Sequence, residues 1–277
     1  MNPDPAGELV SEKKKNDGVD DENDVHSLND IKRPPVYSRD AAVSGLIIIV
    51  PAFNEAANLA ALLASIHSHQ PGADVVVIND GSADATSAVA RSGGATVVDL
   101  PFNVGIGAAV QAGLLFALRN GYQIAIQVDG DGQHPASEIA KLIDRLADGS
   151  CDVAIGSRFL EPTQYRGSLM RRTGIAIFSL VNSLLLGRRI ADVTSGFRAF
   201  NRRAMEFLAA DYPHDFPEPE SIVTLCRNGF RVAEVRVDMM PRQGGRSSIT
   251  LMRSIYYMLK VMIAIIVGAT RPRSIQR

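Results

Sequence analysis

The 277-residue chain is 46% hydrophobic with a formal net charge of −1, so it can bury a full α/β core and offers no overall attraction to nucleic acid or another polyanion. Its two cysteines, Cys151 and Cys226, have no second Cys or His at ligand spacing, which argues against a thiolate metal site and for a reduced, cytoplasmic protein. Residues 1–40 contain no apolar core of a secretory signal.

Residues 1–43 read as a solvated acidic tail, with ten acidic residues against six Lys and Arg up to Asp40 and few large apolar side chains. Residues 46–50 are a continuous apolar run that stops at Pro51, the pattern of a strand buried on both faces. A helix follows over 55–68, with Leu59, Leu62, Leu63 and Ile66 on one face. Residues 74–78 form a second strand ending in the turn cluster Asn79-Asp80-Gly81-Ser82, and Asp84 is placed to cap a helix that runs to Arg91. Strands at 95–98, 123–128 and 152–155 alternate with helices at 105–119 and 137–147. This β-α order predicts a mostly parallel sheet with helices on both faces.

Residues 167–187 hold an apolar stretch flanked by Arg171 and Arg172 on one side and Arg188 and Arg189 on the other. It is shorter than the roughly 20 apolar residues that span a bilayer, which leaves a helix in the membrane interface or one in the core. Residues 241–277 carry seven Lys and Arg and no acid around a second apolar run, so residues 250–277 read as a basic, amphipathic membrane-interface helix.

Ligands of such sheets sit beyond the C-terminal ends of the strands. The residues just after each run are Pro51-Ala52-Phe53-Asn54-Glu55, Asn79-Asp80-Gly81-Ser82, Asn103-Val104-Gly105-Ile106-Gly107 and Asp129-Gly130-Asp131. Ordinary turn chemistry explains any one of these clusters and explains all four together poorly. Asp129 and Asp131 on a tight turn can share one hard cation, Mg²⁺ or Mn²⁺, which keeps positions open for phosphate oxygens, and Gln133 can add a carbonyl oxygen. His134 reads as a local hydrogen-bonding residue. Gly105-Ile106-Gly107 lacks the third glycine of a dinucleotide fingerprint, since Val110 stands there, and no Gly-Lys-Ser or Gly-Lys-Thr is present for a P-loop. Arg158 follows the fifth strand, and Arg246 lies in the basic, hydroxyl-rich segment from Arg242 to Ser248; arginines of this kind contact phosphates in bidentate fashion.

Taken in order, Val50-Pro51-Ala52-Phe53-Asn54-Glu55, Asn79-Asp80-Gly81-Ser82, Asn103-Val104-Gly105-Ile106-Gly107-Ala108-Ala109, Asp129-Gly130-Asp131-Gly132-Gln133-His134-Pro135 and Ser195-Gly196-Phe197-Arg198 resemble glycosyltransferase family 2, and within it the dolichyl- and polyprenyl-phosphate sugar transferases. The resemblance implies a GT-A (Rossmann-like) domain over 44–249, a GDP- or UDP-sugar donor and inversion at the anomeric carbon. It implies nucleotide binding by Pro51, Ala52, Glu55, Asp80, Gly105 and Asp129, metal binding by Asp129, Asp131 and Gln133, and acceptor or phosphate binding by Arg158, Arg171, Arg172 and Arg246. Ile106 stands where many members have Lys, and Ser247-Ser248 where Ser-Lys is frequent. The expected acceptor is a lipid phosphate or a glycolipid at the cytoplasmic face of a membrane. A hydroxyl acceptor requires a base, for which Asp192, Glu218 and Glu220 are candidates, with Asp131, through the metal, as the other catalytic residue. A nucleotidyltransferase fits less well, because the loop after the first strand is neither Gly-rich nor basic. A sugar-nucleotide-binding protein without turnover is the non-enzymatic alternative.

Overall fold

Each of the five apolar runs forms a strand in the computed structural model of the chain, which describes residues 45–160, 180, 183, 187, 190–213 and 217–240. They are β1 (Leu46–Ala52), β2 (Asp74–Asn79), β3 (Thr96–Asp99), β4 (Ile124–Gln127) and β5 (Val153–Ser157). Between them run α1 (Ala56–His69), α2 (Thr86–Ser92), α3 (Ile106–Arg119), a 3-10 turn at Ala136–Glu138 and α4 (Ile139–Ala147). β6 (Arg198–Asn201), α5 (Arg202–Ala210), α6 (Pro217–Arg227) and β7 (Val232–Arg236) follow, none of them anticipated from hydrophobic pattern. The acidic tail, Arg171, Arg172, Arg246 and the C-terminal amphipathic helix lie outside the described residues, as does most of the apolar stretch 167–187.

The seven strands form one sheet in the order β3-β2-β1-β4-β6-β5-β7. β6 runs antiparallel to β4 and β5, and every other neighbouring pair is parallel. All seven residues of β1 are buried, because helices cover both faces of the sheet. On one face α3, α5 and α6 pack Val110, Leu114, Met205, Leu208 and Ile222 against Ile47, Ile49 and Ile78. On the other, α1 and α4 pack Leu59, Leu63, Ile139 and Leu142 against Ile48, Val77 and Ile126. Each such aliphatic side chain contributes roughly 1.5–3 kcal/mol on burial, which makes this double layer the main source of stability.

The chain lays down β1, β2 and β3 outward in one direction, then crosses back to place β4 on the other side of β1. The loops after β1 and β4 therefore diverge, and a crevice opens between them at the carboxyl edge. Hydrogen bonds lace the loops after β1 and β2 together on one side of it. Asn54 N–H donates to Ser82 Oγ (2.9 Å), Ala83 N–H to Asn54 Oδ1 (2.9 Å), Glu55 N–H to Thr86 Oγ1 (2.9 Å) and Ala56 N–H to Asp84 Oδ2 (3.2 Å). Asp84, expected only to cap α2, thus serves the first turns of two helices, since its Oδ1 also accepts from Thr86 N–H (3.0 Å). Asn54 holds the single left-handed backbone among the described non-glycine residues, at φ 56°, a conformation Asn tolerates.

Asp99, at the end of β3, accepts hydrogen bonds from the Asn79 side-chain amide (2.8 Å) and from Arg91 Nη2 (2.5 Å). The Asn79 amide first, then the arginine, hold its carboxyl down at about 2 against an ordinary value of 3.8. A depressed carboxyl pKa stabilises the fold fully above its unfolded value, and that contribution disappears as pH falls through the folded one. In urea unfolding, wild type is expected to lose more stability between about pH 4 and pH 2 than Asp99→Asn does, modestly because the pair is exposed. Equal acid sensitivity of the two proteins would contradict this.

Candidate active site

The crevice holds a cleft of about 440 Å³. Pro51, Ala52, Phe53 and Glu55 come to it from the end of β1, Asp80 from the end of β2, Asn103, Gly105, Ile106 and Ala109 from the β3–α3 connection, and Asp129, Gly130 and Asp131 from the end of β4. Every residue assigned by the resemblance to the nucleotide lines this one cleft, together with Asp131. Phe53 (46% exposed) and Ile106 (39%) form an apolar rim that the sequence reading assigned to no ligand.

Asp80 is buried, and its two oxygens accept from the backbone N–H groups of Val104 (2.8 Å) and Gly105 (3.0 Å). It caps the loop after β3 rather than its own turn, and so fixes the wall that carries Gly105 and Ile106. Each carboxylate oxygen keeps a further lone pair for a ligand donor.

Asp129 and Asp131 form the acidic end of the cleft. Asp129 N–H donates to His134 Nδ1 (3.0 Å), which assigns the ring proton to Nε2, 3.7 Å from Asp129 Oδ2. The imidazole is buried and stacks on Phe197 with centroids 4.9 Å apart. Asp131 Oδ1 accepts from Gln133 N–H (3.0 Å), and the Gln133 carbonyl accepts from Met240 N–H (3.0 Å). Gln133 thus shapes the turn, and its side chain is not part of the cleft wall. Gly130 lies tight against the end of β1: a Cβ there would stand 3.2 Å from the Pro51 carbonyl oxygen and 3.4 Å from Glu55 Cγ. Two carboxylates at one end of this cleft suit a hard divalent cation whose remaining ligands come from phosphate and water. Among the described residues no group of three or more His, Cys, Asp and Glu forms a self-sufficient metal site.

Two of the expected site residues pair with each other instead of lining the cleft. Arg158 Nε and Nη2 donate to Asp192 Oδ2 (2.7 Å) and Oδ1 (2.8 Å), and Asp192 is fully buried. Glu234 in turn accepts from the Ala191 and Asp192 N–H groups, both at 2.8 Å. Asp192 is thus fully buried, with both oxygens engaged by Arg158, and lies outside the cleft lining. Glu220, on α6, is half-buried and also outside the cleft lining. Its neighbour Glu218 is the carboxylate that senses the acidic end. Burial lifts its carboxyl above the ordinary range, the Arg198 guanidinium opposes this, and Asp129 pushes it further up.

Arg198 is the largest fully buried side chain among the described residues. Its guanidinium donates to the carbonyls of Ser195 (2.7 Å), Val193 (3.3 Å) and Glu218 (2.8 Å) and to Ser221 Oγ (2.7 Å). It ties the 193–196 turn, β6 and the start of α6 into one block behind Asp129.

The sequence pattern of "Glycosyl transferase family 2" matches residues 47–208, well over half of the chain. The chain belongs to glycosyl transferase family 2. It is 31% identical over 214 residues to the polyprenol monophosphomannose synthase of Mycolicibacterium smegmatis, covering 74% of this chain and 80% of the relative. It is 29% identical over 206 residues to a dolichyl-phosphate hexose transferase of Haloferax volcanii, covering 72% and 84%. Among solved structures, glucosyl-3-phosphoglycerate synthase from Mycobacterium tuberculosis in complex with Mn²⁺, UDP and phosphoglyceric acid superposes with a TM-score of 0.64 at 21% identity, covering 87% of this chain and 86% of that one. That likeness establishes the GT-A fold for this member of the family, as the resemblance implied.

Proposed function

We propose that the chain is an inverting glycosyltransferase that moves a hexose from a GDP- or UDP-sugar to a polyprenyl or dolichyl phosphate at the cytoplasmic face of a membrane. The observation that carries the reading is the single cleft in which Pro51, Ala52, Glu55, Asp80, Gly105 and Asp129 meet Asp131. The activities named for the mycobacterial and archaeal relatives support a lipid-phosphate acceptor. Among the described residues no helix is long and apolar enough to cross a membrane. Association would rest on the amphipathic segment 250–277.

The nucleoside lies between the ends of β1 and β2, with the Asp80 carboxylate and the backbone around Ala52 as its polar partners. Asp129 and Asp131 hold Mg²⁺ or Mn²⁺, and a cation so held supplies positive charge to a leaving diphosphate. The acceptor attacks from the face opposite the departing nucleotide. A lipid phosphate is already ionised and needs no base; Arg158, Arg171, Arg172 and Arg246 are the groups to orient it. For Arg158 this role calls for donors beyond those engaged by Asp192. A second reading takes a glycolipid hydroxyl as acceptor; it needs a base, and Glu218, whose carboxyl is raised by burial, opposed by Arg198 and pushed further by the Asp129 charge, is the carboxylate to test for that role.

Incubation with labelled GDP-mannose and UDP-glucose, with polyprenyl phosphate or a glycolipid and with or without Mn²⁺, tests the reading. Metal-dependent label in polyprenyl-phosphate sugar is expected. Label in glycolipid alone would favour the second reading, and donor binding without turnover would overturn both.

A further inference from the structure

We infer that Gln127 is a positioning residue for the Asp129 carboxylate, holding its Oδ1 so that Asp129 meets a divalent cation in one fixed orientation. The inference rests on the proposed role of Asp129 as a metal ligand. Gln127 ends β4, is 1% exposed, and its Nε2 stands 3.3 Å from Asp129 Oδ1. The direction of the amide is set by this contact, since the opposite flip would turn its oxygen onto a carboxylate. Gln127 Oε1 then lies buried with no hydrogen-bond partner among the described residues. A half-satisfied amide in a sealed position is a poor choice for stability, and leucine would fill much of the same space without an orphaned acceptor. What the amide supplies that leucine cannot is the N–H directed at Asp129.

The rest of the surroundings work to the same end. His134 Nδ1 fixes the Asp129 backbone N–H, and His134 Nε2 lies on the Oδ2 side. Below the carboxylate runs Gly196: a Cβ there would come within 3.0 Å of both Asp129 oxygens and of Gln127 Nε2. The turn that carries Gly196 is pinned by Arg198 through the Ser195 and Val193 carbonyls. Asp129 thus has Gln127 on its Oδ1, His134 on its backbone and its Oδ2 side, and the Gly196 backbone beneath it. Partners that orient a metal ligand typically change metal affinity by about ten- to a hundredfold when removed.

The test is Mn²⁺ titration followed by electron paramagnetic resonance, with saturating UDP in one series and GDP in another, on wild type, Gln127→Leu, Gln127→Met and Gly196→Ala. All three variants are expected to bind Mn²⁺ at least about tenfold more weakly. The two Gln127 variants should keep or raise the melting temperature, an outcome that a purely structural role for the amide would reverse. Wild-type affinity in folded Gln127→Leu or Gln127→Met would overturn the positioning role and leave the metal assignment intact. Absence of nucleotide-linked Mn²⁺ binding by wild type would overturn the metal assignment, and this inference with it. Should one Gln127 variant fail to fold, the other supplies the measurement. Should both fail, the amide is structural and the inference falls.

Discussion

Asp131→Ala is expected to lower sugar transfer by about a thousandfold while leaving the protein folded. A cation at a leaving diphosphate stabilises the transition state by several kcal/mol, and each 1.36 kcal/mol is a factor of ten in rate, so losing about 4 kcal/mol gives that figure. The structural consequence is small by comparison. Asp131 sits in the loop after β4, half-exposed, and its Oδ1 serves a local turn with Gln133 N–H at 3.0 Å. Such a turn contributes about 1 kcal/mol. Transfer of labelled sugar and thermal unfolding measured on the same preparation separate the two effects. Chelation of wild type should reproduce the loss, with Mn²⁺ or Mg²⁺ restoring activity to wild type and little of it to the variant. Full activity in Asp131→Ala would remove the metal assignment.

Arg198→Leu is expected to destabilise the fold by about 3–5 kcal/mol, the largest stability effect of any single substitution considered, read as a drop in the urea midpoint. The guanidinium is fully buried and donates to three backbone carbonyls and one hydroxyl. Leucine removes the donor from the Ser195 and Val193 carbonyls in a place water does not reach, at roughly 1–3 kcal/mol each before relaxation, whereas the Glu218 carbonyl keeps the Ser221 hydroxyl at 3.1 Å. It also removes the positive charge that offsets the raised carboxyl of Glu218. Arg198→Lys keeps the charge but not the planar fork, so it should fall between leucine and wild type. A loss below about 1 kcal/mol in Arg198→Leu would mean that the carbonyls find other donors.

The contrast between these two residues also shows how far the chain could be read without coordinates. β1, β2 and β4 are continuous apolar runs because both faces of the sheet are covered, and that pattern is unmistakable in one dimension. The candidate site was legible for the same reason: strands located in this way point to the residues that follow them, and Asp80, Asp129 and Asp131 are among those residues. β6 carries no such signal. Its sequence is Arg-Ala-Phe-Asn, and its two polar ends are buried through partners distant in the chain, Arg198 through Ser221 and Asn201 through Asp152. Nothing local distinguishes such an arginine from a surface one. The pairing of Arg158 with Asp192 was hidden in a related way. Each was assigned its own chemical role, whereas 34 residues of separation hide one buried ion pair. His134 was read as a local hydrogen-bonding residue, and its partner is indeed the Asp129 backbone, but its stacking on Phe197 needed the fold.

The lacing between the loops after β1 and β2 has a consequence for recognition. Asn54, Glu55, Ser82, Asp84 and Thr86 already satisfy one another before any ligand arrives. A molecule entering that end of the cleft meets a wall whose shape is set in advance, and little chain entropy is left to lose there on association. If the nucleoside binds where we propose, discrimination between one nucleobase and another would then be a matter of lock and key, with the selectivity written into the free protein.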